Sequence, residues 1–140
     1  MIVYLDSSAA VAMLLGEDGF EAVELAWLRA DARFASILTG IECARALTRA
    51  RSQRRITALH RDVLRRAWRG QAEAITRIDI TDEVAERASG DFPVEPVRSL
   101  DAIHLATVLT LRERVGELTI LSLDDRVRAN AVALGLPVLP

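Results

Sequence analysis

Four carboxylates in this sequence are placed where they could act together: Asp6, Glu42, Asp101 and Asp124. Asp6 follows the apolar run 2–5, and Asp124 follows the run 118–123. Asp101 lies in the first turn of a helical pattern that opens at Ser99, and Glu42 in the first turn or so of one that opens near Thr39. Taken singly, each has an ordinary structural explanation. Acids complement the positive end of a helix. Asp6 can cap the segment after it, and Glu42 can pair with Arg45 or Arg49 along its own helix. Taken together, four carboxylates at one edge repel one another and need a cation. The donor set is all oxygen, which suits Mg²⁺ or Mn²⁺. Such an ion held by acids beside a basic surface points to phosphoryl chemistry on a nucleic acid, with an activated water and a stabilised leaving oxygen.

The elements that must position these acids alternate between strand and helix. The run 2–5 reads as a first strand, and Asp6-Ser7-Ser8 as a strand-to-helix turn. A short helix over 9–15 stops at Gly16, a second covers about 18–31, and 33–37 is a second strand. Two long helices, 39–51 and 57–69, flank the polar hinge 52–55, with Thr57 as an N-cap. A third strand covers 75–80, and Thr81 caps a short helix ending near Gly90. A Pro-containing loop, 91–97, leads to a helix over 99–112 capped by Ser99. Then come a strand at 118–123, a helix at 124–134 closed by Gly135, and a short strand at 137–139. Strands spaced by helices predict a single α/β domain over 1–140, an α/β/α sandwich with a mostly parallel central sheet. In such sheets ligands bind outside the carboxyl ends of the strands, where Asp6 and Asp124 fall.

Composition narrows the chemistry. The chain has 140 residues, 51% of them hydrophobic and only 4% aromatic, so its core must be aliphatic. All 18 basic residues are arginine. Lysine-dependent chemistry is thereby excluded, including the phosphate-binding P-loop, Schiff bases and Ser–Lys dyads. One cysteine and two histidines are too few for structural zinc. Cys43 reads as a small buried helix residue, or else a reactive thiol given a basic partner and access. His104 follows Asp101 by three positions and either borders the acids or is a partly buried helix histidine. His60 reads as a surface residue, and Trp27 and Trp68 as packing anchors, although Trp68 could stack on a base. No basic n-region precedes the first apolar run, which Asp6 interrupts, and no stretch is long enough to span a membrane. The expectation is a cytoplasmic protein with no membrane partner.

The net charge of −2 hides a strong asymmetry. Residues 45–69 hold nine arginines and one acid, Asp62, a net +8, while the segments on either side are each −5. Either two solvated helix faces happen to use arginine, or they form a surface for a polyanion, since guanidinium forks match phosphate.

Four blocks resemble the PIN-domain nucleases, and more narrowly the VapC-like toxins of bacterial toxin–antitoxin pairs. Val3-Tyr4-Leu5-Asp6-Ser7-Ser8-Ala9 looks like the first acidic motif. The block 38–47, Leu-Thr-Gly-Ile-Glu-Cys-Ala-Arg-Ala-Leu, looks like the second, with Glu42 as its acid. The most specific match is Ser99-Leu100-Asp101-Ala102-Ile103-His104-Leu105-Ala106-Thr107. Ile120-Leu121-Ser122-Leu123-Asp124, with 133–138 after it, looks like the closing motif; the position two after Ser122 favours Asp124 over Asp125. The blocks are in the family's order and span nearly the whole chain. The resemblance implies a Mg²⁺- or Mn²⁺-dependent endoribonuclease in which Asp6, Glu42, Asp101 and Asp124 bind the metal and a metal-activated water attacks a phosphodiester. It also implies a homodimer and a small antitoxin that blocks the site. The helices 39–51 and 57–69 would then grip the antitoxin with apolar positions and hold RNA with Arg54, Arg55, Arg65 and Arg66.

Three other readings fit less well or differ in emphasis. A haloacid-dehalogenase-like phosphatase also has an Asp after its first strand, but it wants a second Asp where Ser8 stands and an essential lysine. A non-catalytic binding module on the same scaffold would have no need of all four acids. A PIN nuclease acting on DNA or in RNA processing, without an antitoxin, remains the nearest alternative.

Overall fold

The computed structural model describes residues 1–140. Its elements, in order, are β1 (Ile2–Leu5), α1 (Ser7–Leu15), α2 (Phe20–Leu28), β2 (Ala32–Ser36), α3 (Ile37–Ser52), α4 (Ala58–Ala72), β3 (Thr76–Ile78), α5 (Asp82–Ala88), α6 (Ser99–Val115), β4 (Thr119–Leu121), α7 (Asp125–Ala133) and β5 (Val138–Leu139). The strands form one sheet in the order β3-β2-β1-β4-β5, and every pairing is parallel. The expected α/β/α sandwich is therefore present, with a wholly parallel sheet.

β1 is central and apolar on both faces, as a strand covered on both sides must be. Val3 and Leu5 point to one layer, where α1 and α2 supply Ala9, Ala10, Leu14, Val23, Ala26 and Trp27. Tyr4 points to the other, where α6 and α7 supply Leu105, Val108, Leu111, Val127 and Ala131. Small alanines let α1 lie close to the sheet. Burying each leucine or valine contributes about 1.5–3 kcal/mol. No helix is long and apolar enough to cross a membrane.

The chain leaves β1 to build β2 and β3 on one side, then returns to place β4 on the other. The order reverses beside β1, which makes the carboxyl ends of β1 and β4 a topological switch point.

Several element boundaries differ from the sequence reading. α1 starts at Ser7 because Asp6 is its N-cap, and it ends at Gly16, which takes the left-handed conformation (φ +64°) that suits glycine. α3 starts at Ile37, capped by the Ser36 hydroxyl, so Glu42 lies in its second turn rather than its first. Thr39, fully buried, donates to the Leu5 carbonyl at 3.3 Å and pins α3 to the end of β1. Thr57 caps α4 as its sequence predicts. Ser99 does not cap α6; Arg98 occupies that position, with no side-chain capping bond.

Candidate active site

Asp6 is the most firmly held of the four acids. It is 2% exposed, and its backbone N–H donates to the Leu121 carbonyl, locking β1 to β4 at the switch point. Its Oδ2 accepts from the Ser8 hydroxyl at 2.6 Å and the Ser122 hydroxyl at 2.8 Å. Ser8 Oγ in turn accepts from the Leu123 N–H at 2.9 Å. Two serines from different elements thus fix one carboxylate oxygen and leave Oδ1 facing inward.

His104 sits next to that oxygen, at 3.6 Å from Nε2 to Asp6 Oδ1, too long for a hydrogen bond. Its Nε2 is 2.7 Å from Glu42 Oε2, and its Nδ1 is 2.8 Å from the Tyr4 hydroxyl. Glu42 thus pairs with a histidine from α6, not with Arg45 or Arg49 of its own helix. Burial disfavours the charged ring most strongly, but the Glu42 hydrogen bond and the charges of Asp6, Glu42 and Asp101 outweigh it, and the His104 pKa is raised. Burial, then the charge of Asp6, pushes Tyr4 well above the usual phenol range.

Asp101 and Asp124 are joined differently. The Arg98 guanidinium donates from Nε to Asp101 Oδ2 at 2.9 Å and from Nη2 to Asp124 Oδ2 at 3.1 Å. Its side chain is 62% exposed. The other oxygen of Asp124 caps α7, accepting from the Arg126 and Val127 N–H groups. Asp125 is exposed one residue on, at the first position of α7.

The four carboxylates therefore meet along the carboxyl edge of β1 and β4 as two linked pairs. No three acids, cysteines or histidines stand together as a ready-made metal cage. The donor chemistry nonetheless fits a hard divalent cation: the acids are all oxygen donors, and a guanidinium already spans two of them.

A cleft of about 520 Å³ adjoins this edge, lined by Ser8, Glu17, Asp18, Glu42, Arg49 and Asp124 among others. Arg49 is the arginine of the basic segment that reaches it. The four arginines singled out for RNA are not equivalent. Arg55 pairs with Glu17 at 2.9 Å and Arg65 donates to Thr48 at 3.3 Å. Arg66 is exposed, and Arg54 is exposed at the α3–α4 turn with a left-handed backbone, φ +59°. Trp68 packs partly against the core and lines a second, apolar cleft of about 440 Å³ with Gly40, Ile41 and Ile75.

Sequence reasoning passed over Arg98 and Tyr4 and left His104 at the border of the site. The signals were spacings: Arg98 and His104 lie three residues either side of Asp101, and Arg49 lies seven after Glu42, all one-face intervals on a helix. Cys43 is free but buried, and it offers no reactive thiol. Burial, then the charges of Glu42 and Asp6, pushes Cys43 up to about 12.

Residues 3–133 match the PIN domain family. The chain belongs to the PIN domain family. Within it the chain is VapC-like: it is 34% identical over 141 residues to Ribonuclease VapC46 of Mycobacterium tuberculosis, covering 98% of this chain and 95% of the relative. Among solved PIN-type folds, VapBC2 from Rickettsia felis bound to a promoter DNA fragment superposes with a TM-score of 0.66 at 10% identity, covering 99% of this chain and 97% of that one. FitAB bound to the IR36 DNA fragment superposes at 0.67 with 16% identity, covering 98% and 93%. These two likenesses show the fold of the PIN domain.

Proposed function

We propose that the protein is a divalent-metal-dependent endoribonuclease, the toxin of a toxin–antitoxin pair. The observation that carries this is the gathering of four carboxylates at the β1/β4 switch point, two of them spanned by the Arg98 guanidinium. The similarity to a protein named as a VapC ribonuclease supports the choice of RNA.

Asp6, Glu42, Asp101 and Asp124 would hold Mg²⁺ or Mn²⁺. When bound, the ion supplies Lewis-acid stabilisation of the phosphoryl oxygens and activation of the attacking water. The protein's own residues do the rest. Ser8 and Ser122 keep Asp6 aimed inward. Arg98, now bridging Asp101 and Asp124, would be free to pair with substrate phosphate if those carboxylates held the ion. Arg49 lies in the cleft beside Glu42, where it meets the phosphate of a flanking nucleotide. Arg54, Arg55, Arg65 and Arg66 extend that positive surface, and charge reversal of all four should weaken RNA cleavage.

The antitoxin would lie across α3 and α4, where Ile41, Leu59 and Val63 are exposed apolar side chains. A second copy of the chain completes a homodimer in the cytoplasm.

The test is cleavage of total cellular RNA by purified protein with Mn²⁺, with Mg²⁺ and with EDTA, beside folded Asp6→Asn and Asp101→Asn variants. Metal-dependent cutting lost in both variants supports the proposal. Cutting that persists in EDTA or in the variants overturns the mechanism. No cutting by folded, metal-loaded, antitoxin-free protein favours a binding module instead.

A further inference from the structure

We propose that His104 is the positioning residue for Glu42, a buried ring that fixes which way this carboxylate faces in the acidic site. The inference rests on the metal-dependent reading of that site.

Three elements meet in a line: Tyr4 of β1, His104 of α6 and Glu42 of α3. The hydroxyl lies 2.8 Å from Nδ1, and Nε2 lies 2.7 Å from Glu42 Oε2. His104 is 1% exposed, so water cannot substitute for either contact. Tyr4 is fully buried, and a carboxylate only accepts, so the contact with Glu42 requires a proton on Nε2. The ring therefore donates from Nε2 to Glu42, while the Tyr4 hydroxyl partners Nδ1.

Glu42 needs such a partner. Its carboxylate rides on a flexible stem in the second turn of α3, and no other side chain is bonded to it. Asp6 has two serines to fix its orientation, and Asp124 has the N-terminus of α7. Held at Oε2, Glu42 keeps Oε1 for the site. The register is specific, because Nδ1 is anchored on the sheet and the ring cannot turn without stranding the buried Tyr4 hydroxyl.

If His104 served only to fill the core, leucine would replace it. If it positions Glu42, glutamine should, because its side-chain nitrogen reaches about as far as Nε2 and can donate. The experiment is calorimetric titration of the full chain with Mn²⁺, comparing wild type, His104→Gln and His104→Leu, with a melting curve for each. His104→Leu should weaken Mn²⁺ binding about 10–100-fold, the usual effect of removing an outer partner from a metal-holding side chain. His104→Gln should restore most of it. In a Glu42→Gln background, His104→Leu should cause no further loss.

Equal affinity of the Gln and Leu variants, or a Leu penalty that persists in full without Glu42, overturns the role. Should the Leu variant fail to fold, side-chain ¹⁵N spectra of the wild-type ring decide: a proton on Nε2 supports the role, and a bare Nε2 overturns it. Wild-type protein that binds no Mn²⁺ removes the metal reading and this inference with it. Wild-type binding with indifferent His104 variants removes only the inference.

Discussion

Asp6 and Glu42 meet across a ring that water cannot reach, whereas Asp101 and Asp124 meet across an arginine that lies mostly in solvent. The first pair is supported by Tyr4, Ser8 and Ser122, each bonded to a member of the group. The second depends on one long side chain that gives up rotamer freedom to bridge them. Buried polar groups are costly to strand, while an exposed guanidinium released from a carboxylate simply returns to water. The contrast divides the site into a built half and a yielding half. A cation can displace Arg98 far more cheaply than it can displace His104.

The largest expected effect breaks the built half. Asp6→Ala leaves the Ser8 and Ser122 hydroxyls without their acceptor, and it should cost about 1–3 kcal/mol in urea unfolding. Asp101→Ala, measured the same way, should stay within about 1 kcal/mol. Equal costs would erase the distinction between the halves. Next comes Tyr4→Phe, which keeps the ring packing but takes the hydroxyl partner from Nδ1. A loss of about 1 kcal/mol is expected, read from the shift in urea midpoint at constant slope. An unchanged midpoint would mean the phenol is not part of the clasp.

The yielding half predicts less. Arg98→Ala should change stability by no more than about 0.5 kcal/mol, yet tighten Mn²⁺ binding because a competing cation has gone. Weaker binding in that variant would make Arg98 a support for the site instead of its occupant. The smallest expected effect is none. Cys43 lies beside Glu42 in the dry layer, with its thiol pushed up to about 12. The native protein should resist iodoacetamide at pH 8. An unfolded thiol titrates near 8.5, so the unfolded state sheds its proton first and stability should fall as pH rises above that value. Rapid native labelling at pH 8 would show that water reaches this layer.

Much of this was legible in the sequence. The apolar run 2–5 reads as a first strand and is one, with Asp6 at its end. The order of elements was readable in part because α1, α4 and α5 are punctuated, by Gly16 and by the caps at Thr57 and Thr81. What escaped was set by contacts between distant segments. Ser36 caps α3 from the end of β2, which starts the helix at Ile37 instead of near Thr39 and puts Glu42 in its second turn. Glu42 had arginines within reach on its own helix, and nothing local says that a histidine on α6 takes it instead. Arg98 falls between the loop 91–97 and the helix from Ser99, and nothing local shows that its second partner is Asp124, which follows β4.

The sheet order also has a meaning in time. β1 is made well before its neighbour β4, which comes only after α6, and Ser122 and Asp124 follow β4. Until that late segment emerges, Asp6 lacks one of its two serine partners, and the edge lacks its fourth acid. Pairing of β1 with β4 must wait until residues 119–121 have been made. Under the nuclease reading, the site stays unassembled until residues 122–124 have been made.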